Sequence, residues 1–250
     1  MEMTIFPVIK AKYKVTQILG LRKDYATLSA VNIMERERGE YILNVYESDA
    51  LSRRYAAIYD ELLHCPDFIE IFLSDNALIA VFKASYGKPI DDVFYKGANL
   101  PAVEKGEAAW ETRLHYAEAL MHLALTISDF PLEISCAALL SENLYIDNNT
   151  FQVRYAVSPL AAADKREFRY LLGDQMFKIL LPAVSAPKLL GAFLEKFYSE
   201  EADSITKLYS EWRELLPEIT NAYKEFFAKT LLARGIAVIT NTLKRERRKK

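Results

Sequence analysis

Cysteine is nearly missing from this chain. Only Cys65 and Cys136 occur, far apart and outside any Cys/His cluster with metal-ligand spacing. That excludes a disulfide-stapled secreted scaffold and fits a reducing compartment, with both thiols expected as small buried apolar groups. An excess of charge of either sign is missing too. Against 34 Asp+Glu stand 32 Lys+Arg, interspersed along most of the length for a formal charge of −2, so no global electrostatic attraction to nucleic acid or an acidic substrate is expected. Long apolar runs are absent: a bilayer span needs about 20 such residues, and the longest stretch near the end is GIAVIT. The start, MEMTIFPVIKAKYK, lacks the basic-then-apolar pattern of a secretory leader. No GxSxG, HExxH or Walker-type motif occurs. The expectation is a globular, cytoplasmic chain.

The sequence does hold a core and a two-part pattern. Half of the 250 residues are hydrophobic, enough for one large domain or two small lobes. Residues 12 to 33 alternate β-branched and aromatic residues with polar ones, and a break at Gly20 to Asp24 predicts two antiparallel strands joined by a turn. EYILNVYE at 40 to 47 predicts a third strand. ALSRRYAAIYDELL then carries Leu51, Tyr55, Ile58 and Leu62 at helical spacing. FIEIFLS and NALIAVFKA predict two further strands across the turn signal Asp75-Asn76.

The Gly-, Pro-, Asn- and Asp-rich segment 85 to 101 marks a junction, and the chain beyond it reads mostly as helix. Trp110, Leu114, Ala117 and Met121 form one stripe. Further helices are expected at 164 to 181, 187 to 198, 201 to 215 and 217 to 233, punctuated by Pro182, Pro187 and Pro217. CAALLSENLYIDNN, residues 136 to 149, reads as a loop leading into the strand pair completed by FQVRYAVS.

This order resembles the protein kinase fold over roughly residues 12 to 216. The resemblance rests on ILG at 18 to 20, YILNVYE, HCPDFIEIF, LLSENLYID and the late helical run FLEKFYSEEADSITKLYSEWREL. It implies an α+β, two-lobed kinase-like fold, with an N-lobe over 1–85, a helical C-lobe over 86–233 and a basic tail over 234–250.

The functional letters that the resemblance implies are then missing one after another. In the glycine-rich loop only Gly20 is kept, with Leu21, Arg22 and Tyr25 where open backbone belongs. Asn44 stands at the phosphate-binding lysine. Glu61, the helix's only glutamate, falls a turn late for the lysine's ion-pair partner. If Asn143 is the metal-binding asparagine of the catalytic loop, Ala138 takes the place of the base and Leu140 that of the loop lysine. Ala156, with Val157 and Ser158, replaces the magnesium-binding motif. Asp147 fits a strand turn, and Asp164 fits the cap of the next helix. Gly20 and Asn143 are the only positions kept for cofactor contact; no cofactor or metal is expected.

The function expected is therefore that of a pseudokinase, a binding, scaffold or regulatory module and not an enzyme. The alternatives left open are an atypical or weak serine/threonine kinase that still binds ATP, and an unrelated α+β protein. His115 and His122, seven apart on the long helix, have no third ligand in the pattern, and His64 reads as a packing residue.

A protein partner is expected and nucleic acid is not. Tyr223, Phe226, Phe227 and Leu231 either pack back or form a homodimer contact. Lys244, Arg245, Arg247, Arg248, Lys249 and Lys250 form a dense basic run, which reads as a solvated tail, an anionic-membrane contact, or the flank of a following membrane span. A kinase-like domain without catalytic letters, followed by such a run, is similar to the cytoplasmic part of the type VII secretion component of the EssB/YukC family; LLSENLYIDNNTFQVRYAVSP carries that second likeness.

Overall fold

The computed structural model describes residues 8–35, 39–62, 64–84, 87–94, 107–147, 150–159, 163–180, 188–199 and 204–229, without the side chains of 107–109. The protein is mixed α and β, and its chain divides into two units: Met1–Val93 with Thr126–Leu171, and Phe94–Leu125 with Leu172–Lys250. In chain order the described helices are α1 Asp49–Asp60, α2 Ile90–Phe94, α3 Glu107–Ile127, α4 Leu132–Ala138, α5 Lys165–Leu180, α6 Lys188–Glu195 and α7 Ile205–Ala228.

The first unit holds a six-stranded antiparallel sheet in the order β1-β2-β3-β4-β6-β5. Its strands are β1 Val8–Ile9, β2 Tyr13–Leu21, β3 Tyr25–Asn32, β4 Glu40–Tyr46, β5 Phe68–Ser74 and β6 Ala77–Lys83. The break expected at Gly20 to Asp24 is shorter, since Gly20 and Leu21 still pair with β3, and the turn over 22–24 is closed by the Arg22 N–H donating to the Tyr25 carbonyl at 2.9 Å. Asp75 and Asn76 sit at φ 49° and 64° between the paired Ser74 and Ala77. Two consecutive left-handed residues make the tight hairpin turn whose twist suits the strands, and Asp and Asn tolerate that conformation best after glycine.

Strand alternation sorts the side chains by face. Tyr13, Ala26, Ala30, Tyr41, Leu43, Val45, Ala77, Ile79 and Val81 form one buried cluster, with Leu28 and Phe72 packed against it. The sheet curls around this face. Glu70 on edge strand β5 accepts hydrogen bonds from Lys10 (2.8 Å), Lys12 (2.7 Å) and the Tyr13 hydroxyl (2.6 Å), beside the opposite edge. The other face is covered by α1. The N-terminus of this helix is capped by Ser48, whose Oγ accepts from the Leu51 N–H at 3.3 Å. Tyr55 stacks on Tyr46 with ring centroids 4.1 Å apart, while Tyr59 packs against Phe68 and Phe82.

The same unit carries a small sheet of β7 Lys88–Pro89, β8 Leu144–Asp147 and β9 Thr150–Val153, in the order β7-β8-β9. Gly87 precedes it at φ 138°, and a Cβ there would collide with the Ile146 carbonyl oxygen. The strand expected over FQVRYAVS ends at Val153. Beyond it, side chains take up backbone groups of residues 155 to 157.

In the second unit, α3 buries the expected stripe of Trp110, Leu114, Ala117 and Met121. Trp110 stacks on Tyr223 at 5.0 Å. The expectation of two late helices separated by Pro217 is corrected: α7 is a single helix with Pro217 inside it. Buried Ile205, Leu208, Trp212, Ile219 and Tyr223 keep one stripe in phase across the proline, and burial of that stripe outweighs the one hydrogen bond that proline removes.

Glu118 ties α3 to α7. It accepts from Trp212 Nε1, from Arg213 at 2.8 Å and from the Tyr209 hydroxyl at 3.2 Å. Partial burial pushes its carboxyl up, but these donors outweigh that and hold it below the usual carboxylate range.

Candidate functional site

Asn44 lies mid-strand in β4, on the face that α1 covers, and is fully buried. A buried amide must find partners for both its ends. Its Nδ2 donates to the Tyr155 carbonyl at 2.7 Å, and its Oδ1 accepts from the Val157 N–H at 2.9 Å and from the Thr27 hydroxyl at 3.4 Å. One side chain thus pairs with the backbone of residues 155 and 157 much as a neighbouring strand does. Two residues along on the same face, Tyr46 adds a second tie, donating to the Val157 carbonyl at 2.8 Å and sharing a 2.7 Å hydrogen bond with the Tyr59 hydroxyl.

Asn143 holds the other side of the segment. It ends the short 3-10 helix Ser141–Asn143, and its Nδ2 donates to the Ala137 carbonyl at 2.8 Å and to the Ala156 carbonyl at 3.0 Å. Its own carbonyl accepts from the Arg154 N–H at 2.7 Å. Its Oδ1 is buried with no hydrogen-bond partner among the described residues.

Segment 154–157 is therefore strapped on both sides by amides, and three positions singled out from the sequence, Asn44, Asn143 and Ala156, meet there. Ala138 closes α4 and is fully buried, so the start of CAALLSENLYIDNN is helix and not loop. Ser135 anchors that helix by donating to the Ile127 carbonyl at 2.7 Å. Leu140 is half-buried and accepts from the Asn143 N–H at 2.9 Å.

Gly20 is not part of this cluster's bonding. It lies in β2 opposite Thr27, and a Cβ there would meet nothing within 4 Å. Glu61 caps the end of α1 as an exposed residue; the helix meets β4 through tyrosines, not through an ion pair.

The electrostatics follow from burial without charge. Tyr46 and Tyr155 have hydroxyls pushed far above the usual range, chiefly by burial, and burial pushes the Tyr55 hydroxyl up to about 12. Such phenols stay protonated. Cys65 and Cys136 are both buried free thiols, and burial raises Cys136 to about 12, far from a reactive thiolate. Asp164 caps α5, its Oδ1 accepting from the Glu167 N–H at 2.8 Å. His115 and His122 are exposed, and no group of three or more His, Cys, Asp or Glu side chains converges among the described residues.

Tyr46 and Tyr59 were missed by sequence reasoning. The signal was available: Tyr46 is two residues from Asn44 and so shares its face. No family model and no curated protein matches the chain.

Proposed function

We propose that this chain is a two-lobed, protein kinase-like module without catalysis, a pseudokinase that works by binding other proteins. The lobes of that reading are residues 1–85 and 86–233, with a basic tail over 234–250. The observation that carries it is the amide strap. Where the resemblance puts a lysine facing phosphates, Asn44 spends both ends of its side chain on the backbone of Tyr155 and Val157. Where it puts the catalytic base, Ala138 offers a buried methyl group. A site for a nucleotide with magnesium needs cationic and carboxylate groups aimed into a cleft; these positions offer amides and methyls already engaged with protein.

The test is a thermal-shift titration with ATP, with and without magnesium, followed by transfer of labelled phosphate to a generic acceptor. No magnesium-dependent stabilisation and no transfer are expected. One observation favours the rival reading of a weak, ATP-binding kinase: the open, buried Oδ1 of Asn143. A clear magnesium-dependent shift overturns the absence of nucleotide binding, and any transfer overturns the non-catalytic reading.

Lys244 to Lys250 and Leu231 lie outside the described residues. No helix among the described residues is long and apolar enough to cross a membrane. The membrane-surface role of the basic run, as in a type VII secretion component, belongs to the proposal; co-flotation with vesicles rich in anionic lipid, lost on replacing the run with alanine, checks it. Of the dimer candidates, Tyr223 is buried against Trp110, while Phe226 and Phe227 are half-buried and meet edge to face at 5.3 Å. Replacing Phe226 and Phe227 by Asp and measuring mass and stability decides whether they join copies or pack inward.

A further inference from the structure

We propose that the free edge of β5, beside the C-terminal half of α1, receives an extended segment of a partner protein that pairs as an added strand and carries an apolar residue and a lysine or arginine two positions apart. This deepens the binding-module reading and rests on it.

Three features of the first unit converge here. The first is backbone. Ser74 and Ala77 flank the two-residue turn as a paired position, so Leu73 and Ile71, facing Leu78 and Ala80, occupy the alternate positions whose N–H and C=O groups point away from β6. Among the described residues no strand lies beyond β5. An edge that presents alternate N–H and C=O groups is a template for another strand.

The second is apolar surface. Between the edge and α1 runs a groove of about 490 Å³ floored by Ala56, Ala57, Ile71, Leu73 and Leu78. Leu73 is 72% exposed, more than any other leucine of the described strands. An added strand would cover it with a side chain on the same face.

The third is charge, and it selects the occupant. Asp60 lines the groove at the last turn of α1, Glu61 follows as the C-cap, and no basic residue stands in that turn. Carboxylates at a helix C-terminus face the negative end of the dipole and are disfavoured there, and a cation relieves this. Neither carboxylate has an ion pair among the described residues. In an added strand, residues two apart share a face, so one apolar side chain meets Leu73 and Leu78 while a basic one reaches Asp60.

The experiment uses the full chain and a fluorescein-labelled peptide, Thr-Val-Thr-Leu-Thr-Arg-Thr, read by fluorescence polarisation. Saturable binding is expected. Leu73→Pro removes an outward N–H without taking a bond from the β6 ladder, and Asp60→Lys reverses the charge at an exposed site where a cation suits the helix end; each should weaken binding by about tenfold or more. Asp60→Lys should also bind the same peptide with Glu in place of Arg better than the original chain does. Absence of saturable binding, or binding that both variants leave unchanged, overturns the proposal. If the peptide fails while no labelled phosphate is transferred, this surface is wrong and the non-catalytic reading stands; if phosphate is transferred, that reading fails whatever the peptide does.

Discussion

Asn44 donates from Nδ2 to the carbonyl oxygen of Tyr155 at 2.7 Å, across 111 residues of chain. The contact is neutral and directional. An amide has one donor end and one acceptor end, and here both are matched to a backbone carbonyl and a backbone N–H that lie two residues apart. A lysine in its place would bring a cation to a carbonyl and leave the Val157 N–H without its acceptor.

Asn44→Asp tests this directly. The substitution keeps the shape but turns the donor end into an acceptor facing the Tyr155 carbonyl, and it buries a charge. Urea unfolding should show a loss of about 2–4 kcal/mol, since a buried polar group set against a like partner costs its full desolvation. Asn44→Lys, which removes the acceptor of the Val157 N–H, should fare no better. A wild-type unfolding midpoint for either variant would show that the strap does not hold the fold.

Glycine chemistry offers a paired test. Gly87 sits at φ 138° with its α-carbon packed against the Ile146 carbonyl, so Gly87→Ala meets both backbone strain and a collision. A loss of about 2–3 kcal/mol is expected. Gly20 has no such conflict: its φ is not positive, and a Cβ there meets open space. Gly20→Ala should lie within about 0.5 kcal/mol of the parent or be more stable, because alanine loses less freedom in a strand. Differential scanning calorimetry of the two variants side by side separates them.

The strands, the turns and α1 were legible because their determinants are local. Alternation, the Asp75-Asn76 pair and the Leu51–Tyr55–Ile58–Leu62 stripe act within a few residues. The positions that converge on segment 154–157 could be named, but not what they do there. Counting letters against a kinase frame identifies Asn44 and Asn143 as uncharged; only the fold reveals that both amides bond one backbone segment. The same limit explains Pro217. Proline's local effect predicts a break, while the stripe from Ile205 to Tyr223 that overrides it depends on what those residues bury against. The β5 edge was also unreadable from sequence, since which strand lacks a neighbour is a property of sheet order.

Glu70 gives the first unit an acid sensitivity whose sign is fixed by its partners. Partial burial raises its carboxyl, but Lys10, Lys12 and Tyr13 outweigh that, and it is held down to about 2 from an ordinary 4.5. A folded-state value below the unfolded one means that the stabilisation is present above the unfolded pKa and lost as the pH falls through the folded one. Between pH 4.5 and about 2 the parent should therefore lose stability, and Glu70→Gln should flatten that limb. Because the site is partly solvated, the effect expected is about 1 kcal/mol, and added salt should shrink it. Unfolding midpoints collected across this range for both chains check the slope.

Pro217 is exposed on α7, and its ring nitrogen cannot donate to the carbonyl of Arg213, four residues earlier. The buried stripe keeps the helix together regardless, so the proline acts as a local penalty inside a helix whose existence is decided elsewhere. Pro217→Ala should restore the missing hydrogen bond and relieve the ring's crowding of that carbonyl. Interior proline is disfavoured relative to alanine by about 3 kcal/mol in a regular helix; here residues 213 and 217 are both exposed, where solvent offsets part of a lost hydrogen bond, and the unfolded chain gains freedom with alanine, so a net gain of about 1–2 kcal/mol is expected. Urea unfolding followed by far-ultraviolet circular dichroism measures it. A loss of stability on this substitution would mean that α7 depends on the proline to seat Trp212 and Tyr223 together.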